Sequence, residues 1–418
     1  MCDKKFTVAI IGVGGRGGYV YGTLMAAKPE RFEVTALCDI NEEKLAYFSE
    51  RLGVARESLF TDERVFFEKR RADVLVMCTQ DRDHVRHATL AFELGYDVLL
   101  EKPITADKDA MESLLALRER TGSRALVCHV LRYAPTYMKL AELIESGMIG
   151  RLIAINAIEQ VGYFHHAQSF VRGHWSKAET STPMILAKCS HDLDLLQFYA
   201  NSSCETVSSI GELAYFKAEN APDGAADRCM HCVHMDTCRY SAKTYYLDGW
   251  LSDRTDDYPY NVPCTSPITE EKMRAALENG PQGRCVFKCD NNVVDHQITQ
   301  MTFKNGVKAT LTMMAFTSFG GRKMEFFGTH GQLTLDEVHG VIRVGVFGSA
   351  EYEINIRDLA TEGSFHGGGD AGLVDTFYDV LVGRASEKTS LRHSAESHLM
   401  GIAAEKSRLA GGAVVSVH

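Results

Sequence analysis

No run in the 418 residues approaches the ~18 consecutive apolar residues that a bilayer-spanning helix requires. Positive charge is also in short supply: 45 Lys and Arg face 55 Asp and Glu, for a net charge of −10 at pH 7 with histidine neutral. The chain therefore lacks the electrostatic footprint that phosphate backbones require, and neither a membrane nor nucleic acid is an expected partner. Twelve cysteines are too few for a disulfide framework. Cys38, Cys78 and Cys128 lie in strand-like apolar runs, where a thiol packs as a small hydrophobe. The opening residues Met1–Phe6 lead into an apolar stretch that stops at Gly12 with no small-residue cleavage site behind it, so no secretory leader is expected. The expected compartment is reducing and cytoplasmic. No internal repeat is present. What remains, 45% hydrophobic and 24% charged, is the composition of a soluble globular protein. The length suits two or three domains of roughly 150 residues each.

The first 130 residues alternate strand and helix patterns. Apolar runs at Phe6–Ile11, Glu33–Cys38, Ala72–Cys78, Asp97–Leu100 and Arg124–Val130 are separated by helical patterns, one of them from about Asp83 to Leu94. This alternation predicts a doubly wound parallel sheet, an α/β domain over 1–130. The remainder, 131–418, reads as an α+β domain with a large, mostly antiparallel open sheet. Its meander begins at Val293, and Asn305-Gly306 is a two-residue hairpin signal. Residues 217–292 have weak periodicity and read as a Cys-rich insertion; a segment of that length carries function or needs a staple.

Gly12-Val13-Gly14-Gly15-Arg16-Gly17 fits G-x-G-x-x-G between a strand and a helix, which is the context the motif requires. Gly12 permits the tight turn, Gly14 the close approach of a pyrophosphate, and Gly17 the packing of helix on strand. Asp39, at the end of the second strand, is placed to accept hydrogen bonds from ribose hydroxyls and to repel a 2′-phosphate. The cofactor is therefore expected to be NAD rather than NADP.

Glu101-Lys102-Pro103 ends the strand Asp97–Leu100. Together with the glycine turn and a later His191-Asp192-Leu193-Asp194, it gives a sequence that resembles the glucose–fructose oxidoreductase / inositol dehydrogenase (Gfo/Idh/MocA) family along its whole length. The resemblance implies that Lys102 lies by the nicotinamide and hydrogen-bonds the reacting hydroxyl, and that Pro103 fixes the turn, often through a cis peptide. It implies that His191 takes or gives the hydroxyl proton. The chemistry suits these residues, since imidazole titrates near neutrality and a nearby ammonium stabilises a developing alkoxide. Arg16, Thr79, His84 and Glu101 fall where the family contacts cofactor, and Arg132-Tyr133 where it contacts substrate. The sequence departs from the family at one point. The Asp common four residues before the histidine is Ala187 here, and Lys188 follows, a candidate to take over positioning or to add an acid/base group. Tyr163, His165 and His366 are further candidates for binding hydroxyls. The family sheet also implies a homodimer or homotetramer.

Cys229-x-x-Cys232 and Cys238, in the insertion, have the spacing of thiolates around one tetrahedral ion. A structural zinc is expected there, with Cys285 as fourth ligand and Cys289 or Cys264 as alternatives. The expected activity is an NAD-dependent oxidoreductase acting on a secondary hydroxyl of a sugar, cyclitol or glycoside. The alternative is a glycosidase that uses held NAD for transient C3 oxidation, elimination, water addition and re-reduction. A third reading, a dinucleotide-sensing binding protein without catalysis, is opposed by the retained Lys102 and His191.

Overall fold

The computed structural model of the protein describes residues 4–359 and 365–418. Met1–Asp3, part of the stretch read above against a leader, lie outside them. The first sheet comprises β1 (Phe6–Ile11), β2 (Phe32–Cys38), β3 (Leu59–Phe60), β4 (Val74–Met77), β5 (Asp97–Leu100) and β6 (Ala125–Val127). All pair in parallel, in the order β3-β2-β1-β4-β5-β6. Every residue of β4 is buried and β1 is buried except at Thr7, as a sheet covered on both faces demands. The covering helices carry their own boundary signals. Asn41 caps Glu42–Leu52 by accepting from the Lys44 N–H (3.0 Å), and Gly53 ends it in the left-handed conformation. Strand order reverses beside β1, which opens a crevice at the carboxyl ends of β1 and β4, where open α/β sheets bind ligands.

The second sheet has nine strands: β7 (Leu152–Gln160), β8 (Cys204–Glu212), β9 (His296–Phe303), β10 (Lys308–Met314), β11 (Gly321–Gly328), β12 (Gly331–Asp336), β13 (Val341–Val346), β14 (Tyr352–Asn355) and β15 (Val415–Ser416). The order is β14-β13-β12-β11-β7-β10-β9-β8-β15. It is antiparallel except where β7 runs parallel to β10, so the sheet is mixed. The expected hairpin forms with one residue more than its dipeptide suggested. Thr302 pairs with Lys308, Phe303 N–H donates to Val307 O (2.9 Å), and Gly306, at φ 92°, is the left-handed third residue of the loop.

The two sheets share one apolar core. Val8 and Ile10 of β1 join Leu126, Tyr133 and Leu140 in a contiguous cluster that reaches Ile155, Leu311 and Phe326 of the second sheet. Each such large side chain contributes about 1.5–3 kcal/mol on burial, so the crevice at the junction has rigid walls. The insertion over 217–292 has weak periodicity because its apolar residues are spread over short elements, yet it is not coreless. Tyr246, Leu247, Trp250, Met273 and Leu277 form one cluster. Phe216, Val286 and Phe287 pack with Ala167 and Val171 in another. Among the described residues, no helix is long and apolar enough to cross a membrane.

Asp295 ties the insertion to the sheet where the chain returns to β9. It is fully buried; its Oδ2 accepts from the Ala214 and Tyr215 N–H groups (2.9 and 2.7 Å), and its Oδ1 lies 2.9 Å from His296 Nδ1. Asp295→Ala leaves two backbone donors without a partner and is expected to cost about 2–4 kcal/mol, with Asp295→Asn costing less. Urea unfolding with an unchanged midpoint for the Ala variant would contradict this.

Candidate active site

The glycine turn lies at the carboxyl end of β1. Gly12, at φ 85°, sits against the Cys78 carbonyl, and a β-carbon at Gly17 would strike Gly12 O. These two glycines are required by packing. Gly14 and Gly15 differ: nothing lies near a β-carbon built at Gly15, and Gly14 has only Lys44 Nζ, at 4.0 Å. The turn thus presents open backbone at the start of the helical run 15–26, which is wide-wound over Gly15–Gly22. Asp39 closes the other side. Its Oδ2 accepts from Val13 N–H (2.8 Å) and its Oδ1 from Asn41 N–H (2.9 Å). A dinucleotide fits this cradle: open backbone for the phosphates, and a carboxylate with spare lone pairs for the ribose.

The turn after β5 brings Lys102 to the junction. The Lys102–Pro103 peptide is cis. Lys102 Nζ donates to Ala187 O at 2.9 Å. The backbone carbonyl of Ala187 thereby accepts the ammonium at the position where the expected carboxylate is missing. Burial lowers the Lys102 pKa; Glu101 opposes that shift, and Lys188 and Arg16 reinforce it. Glu101 does not face the crevice. It accepts from Arg16 Nε (2.7 Å) and Tyr21 O–H (3.1 Å). Arg16 also bonds Asp370 through Nη2 at 2.5 Å, which ties the glycine turn into an ion chain while the Arg16 side chain stays 29% accessible. Asp370 in turn holds His366 Nδ1 at 2.7 Å. Burial pushes Asp370 up, but Arg16 and His366 more than offset this and keep it well below the usual carboxylate range.

His191 opens the helix Ser190–Ala200 and is buried, with its Nδ1 unpartnered. Its ring centroid lies 5.9 Å from that of His129 and 6.1 Å from that of His366. Burial, then the charges of Lys102, His129, His366 and Arg322, hold the His191 pKa well below its ordinary value. Lys188 is anchored from below by Glu159, its Nζ 3.0 Å from Oε1. Glu159 pairs with Arg322 (2.9 Å), and Arg322 Nε donates to Asp192 (2.7 Å). Glu159 and Arg322 are direct partners in the β7–β11 ladder, both on inward positions. A carboxylate and a guanidinium on the buried face of alternating strands was a signal present in the sequence and left unread.

His165 stacks on Phe170, their ring centroids 6.1 Å apart, and burial, then the charges of Lys188, His166, Lys102 and His366, hold its pKa well below the ordinary value. Tyr163 is partly exposed beside Tyr240, their ring centroids 5.9 Å apart. Tyr258, from the insertion, joins them: its hydroxyl lies 3.3 Å from Gln168 Nε2, and its ring centroid is 6.5 Å from that of His165. Four of the expected contact residues also have partners within the chain. Arg132 reaches Asp194 (3.3 Å) and stacks on Phe198. Tyr133 is buried, with its hydroxyl 2.7 Å from Thr389 Oγ1. His84 sits between Pro103 O (2.7 Å) and Thr79 O (3.1 Å), locking two turns together. Thr79 Oγ1 lies 3.0 Å from His87 Nδ1.

Cys229, Cys232, Cys238 and Cys285 do converge. All four line one cavity of about 20 Å³ beside Arg172 and Tyr240, each as a free thiol. Among the described residues, however, no group of three or more His, Cys, Asp or Glu side chains is arranged to hold a metal ion. The expected zinc site is therefore not formed in this geometry.

Comparison with known proteins agrees with the two sheets. Residues 6–129 match the model of the oxidoreductase family NAD-binding Rossmann fold, and residues 141–416 match that of the family's C-terminal alpha/beta domain. A Bacillus subtilis (strain 168) protein named as an oxidoreductase, YteT, is 22% identical over 391 residues, which covers 86% of this chain and 87% of that one. The D-glucoside 3-dehydrogenase of Escherichia coli (strain K12) is 24% identical over 157 residues, covering 38% and 44%. The structure of a levoglucosan dehydrogenase in complex with NADH and levoglucosan superposes with a TM-score of 0.72 at 15% identity, covering 99% of this chain and 100% of that one. With both halves matched, the chain belongs to the Gfo/Idh/MocA oxidoreductase family and is an NAD-binding enzyme.

Proposed function

We propose that the enzyme transfers hydride between NAD and a secondary hydroxyl of a sugar, cyclitol or glycoside, with Lys102 and His191 serving the reacting hydroxyl. The observation that supports this reading is the Lys102 ammonium held on Ala187 O, on the turn that leads into the helix bearing the buried, unpartnered His191, in a chain whose first half presents an open glycine turn. The dehydrogenases for D-glucoside and levoglucosan among the relatives support the carbohydrate class. NAD, when bound by the Gly14 backbone and the Asp39 carboxylate, supplies the hydride acceptor. The chain's own groups manage the proton. Neutral His191 takes it from the substrate O–H, and the Lys102 ammonium, fixed on Ala187 O, donates to the developing alkoxide. Lys188, neutralised by Glu159, positions a second substrate hydroxyl. His165, Tyr163 and His366 offer further hydrogen-bonding groups.

The glycosidase alternative draws on one specific feature, the His366–Asp370 pair next to His191, which provides a second base for a carbon acid. Net NADH accumulation with a polyol or glycoside panel supports the dehydrogenase; aglycone release without added NAD supports the alternative. In either case Lys102→Ala and His191→Ala are expected to lower turnover by about two orders of magnitude while leaving NAD affinity largely intact. Because its pKa is depressed, His191 stays unprotonated as pH falls through the ordinary imidazole range. Oxidation kcat/KM is therefore expected to be flat from about pH 8 to about pH 6 and to fall only below that. A loss of activity centred near pH 6.5–7 would contradict the assignment.

The outer face of the second sheet carries a row of exposed isoleucines in register, Ile158, Ile298 and Ile210, joined through Thr312. Such a face is suited to a second copy of the chain. Light scattering is expected to give a dimer or tetramer at micromolar concentration; a particle of 46.3 kDa would refute it. For the cysteine cluster the proposal is a structural zinc that draws the four thiols onto their shared cavity and stabilises the insertion. Metal analysis of protein purified without chelator or metal-affinity resin is expected to give about one zinc per chain, lost in Cys232→Ser. Four readily alkylated thiols in metal-free protein would overturn it.

A further inference from the structure

The mouth of the cofactor crevice is bridged by chain from the second half of the molecule. A dinucleotide on the open backbone of Gly14, reaching toward Asp39, must lie across the N-terminal ends of the helical run 15–26 and the helix Glu42–Leu52, which pack on each other through Tyr19, Tyr47 and Phe48. The insertion fastens to both. Tyr19, on the first, has its hydroxyl 2.7 Å from Ser266 Oγ. Glu43, on the second, pairs with Lys272 at 2.8 Å. Lys272 lies on the helix Glu270–Asn279, whose Met273 and Leu277 are buried in the insertion's own core, so the bridge has a stiff backing. On the far side of the crevice a second bridge crosses. Trp175 Nε1 (3.1 Å) and Thr182 Oγ1 (2.7 Å) both donate to Asp81, in the turn after β4.

We infer that residues 266–272 of the insertion form a strap over the cofactor crevice, so that NAD exchanges only when the Tyr19–Ser266 and Glu43–Lys272 fastenings release. The inference rests on the NAD site proposed above. Both Lys272 and Glu43 are substantially exposed, with side chains 39% and 56% accessible. A pair of that kind is weak, so the strap is built to open rather than to seal. The consequence is functional. Cofactor exchange, rather than hydride transfer alone, is placed under the control of a segment that belongs to the substrate side and carries Tyr258 into the substrate space. The strap therefore couples the two halves of the site.

The test is the release of bound NADH, followed by its fluorescence on chasing with excess NAD+. The Ser266→Ala/Lys272→Ala double variant is expected to release NADH about tenfold faster than the unmodified protein. Lys288→Ala, which breaks the Lys288–Asp227 pair within the insertion, is expected to leave the rate unchanged. Amide hydrogen exchange across 264–272 should slow when NADH is present. Equal release rates for all three proteins, with no change in exchange, would overturn the strap while leaving the cofactor site standing. Failure of the unmodified protein to bind NADH would overturn both, and an equal acceleration in Lys288→Ala would show general loosening of the insertion and sink the specific latch.

Discussion

One buried ion chain holds the parts of the site in a common frame. Arg16 leaves the glycine turn, bonds Glu101 at the end of β5, and reaches Asp370 at the start of the helix Gly369–Leu381; Asp370 carries His366. The chain thus joins the glycine turn, the residue preceding Lys102, and a histidine beside His191. Glu101 and Asp370 are buried against Arg16, whose own side chain stays 29% accessible, and removing either carboxylate leaves the guanidinium short of a partner. Burial combined with neighbouring cations keeps His191 and Lys102 below their ordinary pKa values. Preorganisation of this kind is what proton transfer at a dry junction requires.

A second chain supports the floor. Lys188, Glu159, Arg322 and Asp192 alternate in sign from the crevice into the sheet, and the last of them is the neighbour of His191. The two chains approach His191 from opposite sheets, and the shared apolar core fixes their separation. Ala187, where a carboxylate is usual in the family, is therefore not a gap in the machinery. Its carbonyl accepts Lys102, and the negative charge needed nearby arrives through Glu159, one residue from the end of β7.

The sequence was most legible where local physics decides. Strand runs, the glycine turn and the meander all depend on neighbours in the chain, and they appear where periodicity and the motif put them. Spacing grouped Cys229, Cys232 and Cys238 but left the fourth cysteine open among Cys285, Cys289 and Cys264; Cys285 is the one that shares their cavity. What the sequence hid is long-range pairing. Arg16 lies in a local motif, but its partner Asp370 is 354 residues away. Arg132 and Tyr133 lie where the resemblance implies substrate contacts, and their partners Asp194 and Thr389 are 62 and 256 residues away. The hairpin at Asn305-Gly306 gained a third residue because the glycine takes the bulge position and not the second turn position. Tyr258 was invisible in a segment without periodicity.

The central claim is that the crevice between Gly14 and Asp39 delivers the nicotinamide of NAD to the pocket shared by Lys102 and His191. A crystal structure of the protein with NAD tests this most directly. The account predicts the pyrophosphate on the backbone of Gly14 and Gly15, ribose hydroxyls on Asp39, and the nicotinamide ring in the cavity bounded by Lys102 and His191. A dinucleotide bound with its nicotinamide outside that cavity, or with Asp39 untouched, would contradict it.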